Sequence, residues 1–84
     1  MYMPKLLARL GEVEMARIHI IYNGMDFYSM DVPKMSPEEL CDEFYSQFEY
    51  FNKLKIELEN GNFFLIGEHV IKSCVILFGE VEND

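Results

Sequence analysis

Two Asn-Gly pairs, Asn23-Gly24 and Asn60-Gly61, constrain the fold of this chain more than any other feature of its sequence. Asn-Gly favours a two-residue type I′ turn, because both central positions of that turn need positive φ. Each pair lies between segments in which apolar residues alternate, within 16–32 and 53–67. The sequence therefore predicts two β-hairpins with two-residue loops.

The loop length also predicts which residues face each other across each hairpin. In the first hairpin Ile20 pairs with Phe27, and their face is apolar. In the second hairpin Ile56 pairs with Leu65 on the core face. Phe64 then points to the opposite face of the sheet.

A helix start signal separates the hairpins. Ser36 is a favourable N-cap, Pro37 suits the first helical position, and Glu39 completes a capping box. Apolar residues follow at helical spacing, so we expect a helix from Pro37 to about Phe51.

The last strand is predicted at residues 69–78, which are apolar on both faces from Cys74 onwards. The predicted fold class is α+β: an antiparallel, twisted sheet of about five strands in the order β-β-α-β-β-β, with one amphipathic helix on one face. The predicted core contains Ile18, Ile20, Phe27, Leu40, Phe44, Phe48, Leu54, Ile56, Leu58, Phe63, Leu65, Val75 and Leu77.

The 84 residues suffice for one domain, which we place at 15–84. Residues 1–14 are predicted to be an appendage, with room for a short helix between Pro4 and Gly11. Met15 could equally be the true start of the protein.

The chain carries a net charge of −8, all of it within residues 15–84. This charge argues against direct binding to nucleic acid, which needs a basic patch, and against binding to an anionic membrane surface. No apolar run approaches the length of a membrane span, and the N-terminus does not resemble a signal peptide. The expected location is the cytoplasm.

No motif for catalysis is present, so we predict a protein that is not an enzyme and needs no cofactor. His19, His69, Cys41 and Cys74 lack the spacing of a metal site, and the cysteines are expected to be free core residues. A small enzyme or ligand binder that uses His19 or His69 remains an alternative.

The predicted helix is acidic and carries no Lys or Arg. Its surface either keeps a small protein in solution or contacts a basic surface of a partner protein. In the second case two tyrosines could anchor the contact. The predicted partner-binding residues are Glu38, Glu39, Asp42, Glu43, Tyr45, Glu49 and Tyr50.

One helix covers only one face of the sheet, and the other face should be apolar. Such a face usually marks an interface, here a homodimer or a partner protein. Alternatively, the segment Met1–Leu10 covers it, or the sheet curls into a half-barrel. An edge strand could also recruit a partner by strand addition. The predicted oligomer-interface residues are Ile21, Tyr28, Met30, Phe64 and Ile66.

In its size, charge and hairpin-helix-hairpin layout, the chain resembles the small acidic proteins with which bacteriophages inhibit host factors, anti-CRISPR proteins among them. This resemblance implies a non-catalytic inhibitor that binds another protein, for example a basic nucleic-acid-binding protein whose DNA the acidic helix imitates. The alternative hypothesis is a structural homo-oligomer.

Overall fold

The computed structural model describes residues 14–81, so the predicted appendage lies, apart from Glu14, outside the described residues. The described chain contains six strands and two helices. In chain order they are β1 (Met15–Tyr22), β2 (Met25–Tyr28), β3 (Val32–Pro33), α1 (Pro37–Phe51), β4 (Leu54–Glu57), β5 (Phe63–Ile66), α2 (Glu68–Ile71) and β6 (Cys74–Glu80).

The first hairpin forms as predicted. Asn23 and Gly24 have φ values of 54° and 76°, as a type I′ turn requires. Ile20 lies opposite Phe27 in the antiparallel pair of β1 and β2.

The predicted bounds of α1 are confirmed, and so is its capping box. The Glu39 backbone N–H donates to Ser36 Oγ at 3.1 Å, and the Ser36 N–H donates to the Glu39 carboxylate at 2.9 Å. The helix ends at Asn52, which adopts the left-handed conformation and donates its N–H to the Phe48 carbonyl at 2.7 Å.

The α+β class with an antiparallel sheet and one main helix is confirmed, but the strands form two sheets. In the four-stranded sheet, β1 is central: β2 and β3 pair with it on one side and β6 on the other. The second sheet is the hairpin of β4 and β5. A single bridge between Ser29 and Leu58 joins the two sheets.

The predicted register of the second hairpin is wrong by one residue. Gly61 has φ +89° and donates its N–H to the Leu58 carbonyl at 2.9 Å, whereas Asn60 does not have positive φ. The loop is therefore a type I turn followed by a glycine bulge, which is one residue longer than a type I′ turn. As a result Ile56 lies opposite Phe64 and not Leu65.

This shift reverses the two faces of β5, because side chains alternate along a strand. Ile66 is 1% exposed and Phe64 packs against the core, so their predicted place on the spare face of the sheet is wrong. Phe63 and Leu65 were predicted in the core and are instead 54% and 68% exposed.

The last strand is also shorter than predicted. Residues 68–71 form α2, and β6 begins only at Cys74. Pairing with β1 turns Ile76 and Phe78 towards the core. Val75 and Leu77, predicted in the core, therefore point away from it and are 54% and 48% exposed.

The core lies between the four-stranded sheet, α1 and the second hairpin. Its most buried members are Ala16 and Ile20 of β1 and Ile66 of β5. Helix α1 packs across β1 and β6, and Phe44 contacts Phe78 edge-to-face with ring centroids 5.4 Å apart. An apolar groove of about 260 Å³ separates α1 from β4.

Candidate interaction surfaces

The predicted partner-binding residues all lie exposed on α1. Successive helical residues are about 100° apart, so these side chains form two neighbouring stripes on the side away from the core. Together the stripes make up the acidic helix face. The first stripe contains Glu38, Asp42, Tyr45 and Glu49, and the second contains Glu39, Glu43 and Tyr50.

The carboxylates of this face have few internal partners. Glu39 caps the helix, and Glu43 accepts a hydrogen bond from Gln47 Nε2 at 2.7 Å. Within residues 14–81 none of the five carboxylates forms an ion pair. Glu49 lies near the helix C-terminus, where a negative charge is unfavourable by about 0.3–1 kcal/mol. The five carboxylates therefore give the acidic helix face a concentrated negative charge, which a basic surface of a partner could neutralise.

Exposed aromatic rings accompany the carboxylates. Tyr45 is 65% exposed and Tyr50 is 81% exposed. Phe51 is 56% exposed and packs edge-to-face on Tyr50, with ring centroids 4.8 Å apart. Aromatic residues dominate the energetics of many protein interfaces, so this combination favours a protein partner.

The sheet presents a second candidate surface, here called the outer face. It is the side of the four-stranded sheet turned away from α1, and it is part polar. His19 Nε2 donates a 2.8 Å hydrogen bond to the Asp26 carboxylate, and its ring stacks on Tyr28, while Arg17 lies over the same Tyr28 ring. Residues Arg17, His19, Ile21, Asp26, Tyr28, Val75 and Leu77 form the outer face.

The structure divides the predicted oligomer-interface set. Ile21 and Tyr28 lie on the outer face, whereas Phe64 and Ile66 lie in the core. Met30 is 48% exposed and lines the groove beside α1. The pattern of β6 did not reveal that Val75 and Leu77 belong to the outer face, because this strand is apolar on both sides.

Within residues 14–81, no three His, Cys, Asp or Glu side chains converge as metal ligands would. A second groove, of about 350 Å³, lies beside Phe51 and Leu65. Neither groove is lined by His19 or His69. That the chain is not an enzyme stays a prediction.

The two free cysteines differ in their surroundings. Cys41 is exposed on α1, contrary to the core position that its pattern predicted, and Cys74 is half-buried. Burial raises the pKa of the Cys74 thiol, although a hydrogen bond to its sulfur partly offsets this. The thiolate is the reactive form, so less of Cys74 is reactive near neutral pH.

We therefore expect a thiol reagent to modify Cys41 several times faster than Cys74 in the native protein. Mass spectrometry of peptides after timed alkylation measures both rates, and the denatured chain is the control in which the difference should shrink. Faster modification of Cys74 would contradict the burial of this side chain.

No helix in the described part of the chain is long and apolar enough to cross a membrane. Comparisons with protein-family models, with curated proteins and with solved structures found no match.

Proposed function

We propose that this chain is a non-catalytic protein-binding module whose acidic helix face docks on a basic surface of another protein. The observation that carries the proposal is that one helix combines carboxylates that form no ion pair within residues 14–81 with the exposed rings of Tyr45, Tyr50 and Phe51. Carboxylates alone would serve solubility equally well, whereas exposed aromatic rings work against it.

The chemistry of this face suits one kind of partner in particular. A protein that binds nucleic acid presents Lys and Arg side chains spaced to contact phosphates. A rigid helix with carboxylates in two stripes offers those side chains an alternative set of negative charges. Binding would then exclude the nucleic acid, which is the action of an inhibitor of the kind that phages direct at host factors.

The double variant Asp42→Lys with Glu49→Lys tests this proposal without harming the fold. Lys at 42 would attract Glu38 one turn away, and Lys at 49 would favour the helix C-terminus, so α1 should keep or gain stability. We expect affinity for proteins captured by the wild-type chain to fall about tenfold or more, because opposite charges become like charges. Added salt should weaken the wild-type complex by screening.

The matched control is Asp31→Lys with Glu68→Lys. It changes the net charge by the same amount at two exposed positions outside α1. Quantitative mass spectrometry of captured proteins, followed by affinity measurement with the purified partner, compares the three chains. If the helix variant and the control bind alike, the acidic helix face is not the docking surface.

A further inference from the structure

Strand β6 has one edge that no described strand covers. Within residues 14–81 it pairs with β1 alone. Ile18 of β1 points its backbone N–H and C=O away from β6, and its carbonyl accepts a hydrogen bond from the Ser29 N–H. Backbone groups alternate in direction along a strand, so Arg17, His19 and Ile21 point theirs towards β6. Their partners in β6 are Val75, Leu77 and Gly79. The backbone N–H and C=O groups of Cys74, Ile76 and Phe78 therefore point away from β1, towards the open edge of the sheet.

Two of the features with which proteins usually prevent strand association are absent from this edge. From Cys74 to Gly79 the strand contains no charged residue and no proline. Val75 and Leu77 add exposed apolar side chains on the outer face. The other edge of the sheet differs, since its end is bridged to the second hairpin through Ser29.

We propose that β6 pairs antiparallel with β6 of a second copy of this chain, so that two four-stranded sheets become one. A two-fold axis at Ile76 places Val75 beside Leu77 of the second copy. The edge is thus complementary to itself in hydrogen bonding and in apolar contact.

The position of α1 is compatible with this pairing. Glu43 and Gln47 line the groove towards β4, so the opposite flank of the helix lies above the open edge of β6. That flank carries Cys41 and Tyr45. For a chain with a net charge of −8, an uncharged edge is where a second copy meets least repulsion.

The test is the mass of the full chain in solution over a range of concentrations, by analytical ultracentrifugation. We expect a reversible species of twice the 9.9 kDa of one chain. The variant Val75→Lys with Leu77→Lys should raise the dissociation constant about tenfold or more, because it places like charges opposite each other. Both side chains are exposed, so the fold should persist, which circular dichroism checks.

The matched control is Phe63→Lys with Leu65→Lys, which adds the same charges at the same spacing on exposed positions of β5. It should leave the dimer intact. Hydrogen exchange supplies a second measurement: the amides of Cys74, Ile76 and Phe78 should be protected in the dimer and exchange rapidly on dilution.

Three results would overturn the proposal. One is a wild-type monomer at every concentration; protection of the edge amides in that monomer would assign the edge to another segment of the same chain. Another is a dimer that the β6 variant leaves unchanged. The last is a β5 control variant that weakens the dimer as much as the β6 variant does. None of these outcomes depends on the acidic helix face, so this proposal and the proposed function can fail separately.

Discussion

Replacing Ile66 by Ala should lower the free energy of unfolding by about 2–5 kcal/mol, as large-to-small substitutions in a core do. Ile66 is 1% exposed and belongs to the buried cluster with Ile18, Ile20 and Leu40. A chain of 84 residues has a total stability of about 4–13 kcal/mol, at roughly 0.05–0.15 kcal/mol per residue. The substitution should therefore remove a large part of it. Chemical denaturation followed by circular dichroism measures the change.

The control is Leu65→Ala, one residue earlier. Leu65 is 68% exposed, so its truncation should cost less than about 0.5 kcal/mol. The pair of variants tests the register of the second hairpin directly. With a two-residue loop at Asn60-Gly61, the order of the two effects would be reversed.

Replacing Ser29 by Ala should cost about 1–3 kcal/mol, although it removes only one oxygen atom. Ser29 is 4% exposed. Its Oγ accepts a hydrogen bond from the Ile18 N–H at 2.8 Å and donates one to the Met30 carbonyl at 2.9 Å. Without this hydroxyl, the Ile18 N–H is buried with no acceptor. The bridge from Ser29 to Leu58 is made by backbone hydrogen bonds of the adjacent residues, so it should persist in the variant.

Ser73→Ala is the control for this second variant. The Ser73 hydroxyl donates to the His69 carbonyl at 3.3 Å, but the residue is exposed, so water can replace the bond. Thermal denaturation should show a clear fall in midpoint for Ser29→Ala and little change for Ser73→Ala. Equal effects would mean that the Ser29 hydroxyl has no special role.

Local chemistry was sufficient to predict α1 and the first hairpin. Ser36 and Glu39 satisfy each other's backbone donors wherever the rest of the chain lies. In the first hairpin, polar residues such as His19 and Asp26 alternate with apolar ones, so only one register buries the apolar face.

In the second hairpin the sequence does not distinguish between two registers. Residues 63–66 are apolar at every position, so a shift by one residue exchanges two apolar faces. Asn-Gly fits both a type I′ turn and a type I turn with a bulge at Gly61, and only the packing of Ile66 distinguishes them. The same ambiguity in β6 concealed the exposure of Val75 and Leu77.

Of the two candidate interaction surfaces, one could be predicted from the sequence and the other could not. The acidic helix face could be predicted residue by residue, because helical spacing and charge define it. The open edge of β6 could not, because an edge is a property of strand order, and strand order depends on contacts between distant parts of the chain.

The central position of β1 has a consequence for synthesis on the ribosome. This strand is made first among the described elements, yet one of its two edges is paired by β6, which is made last. The first hairpin and α1 can form locally while the chain emerges, but the sheet remains incomplete until β6 leaves the exit tunnel. Until then the nascent chain exposes β1 to neighbouring polypeptides, and chaperone binding would be most useful in that interval.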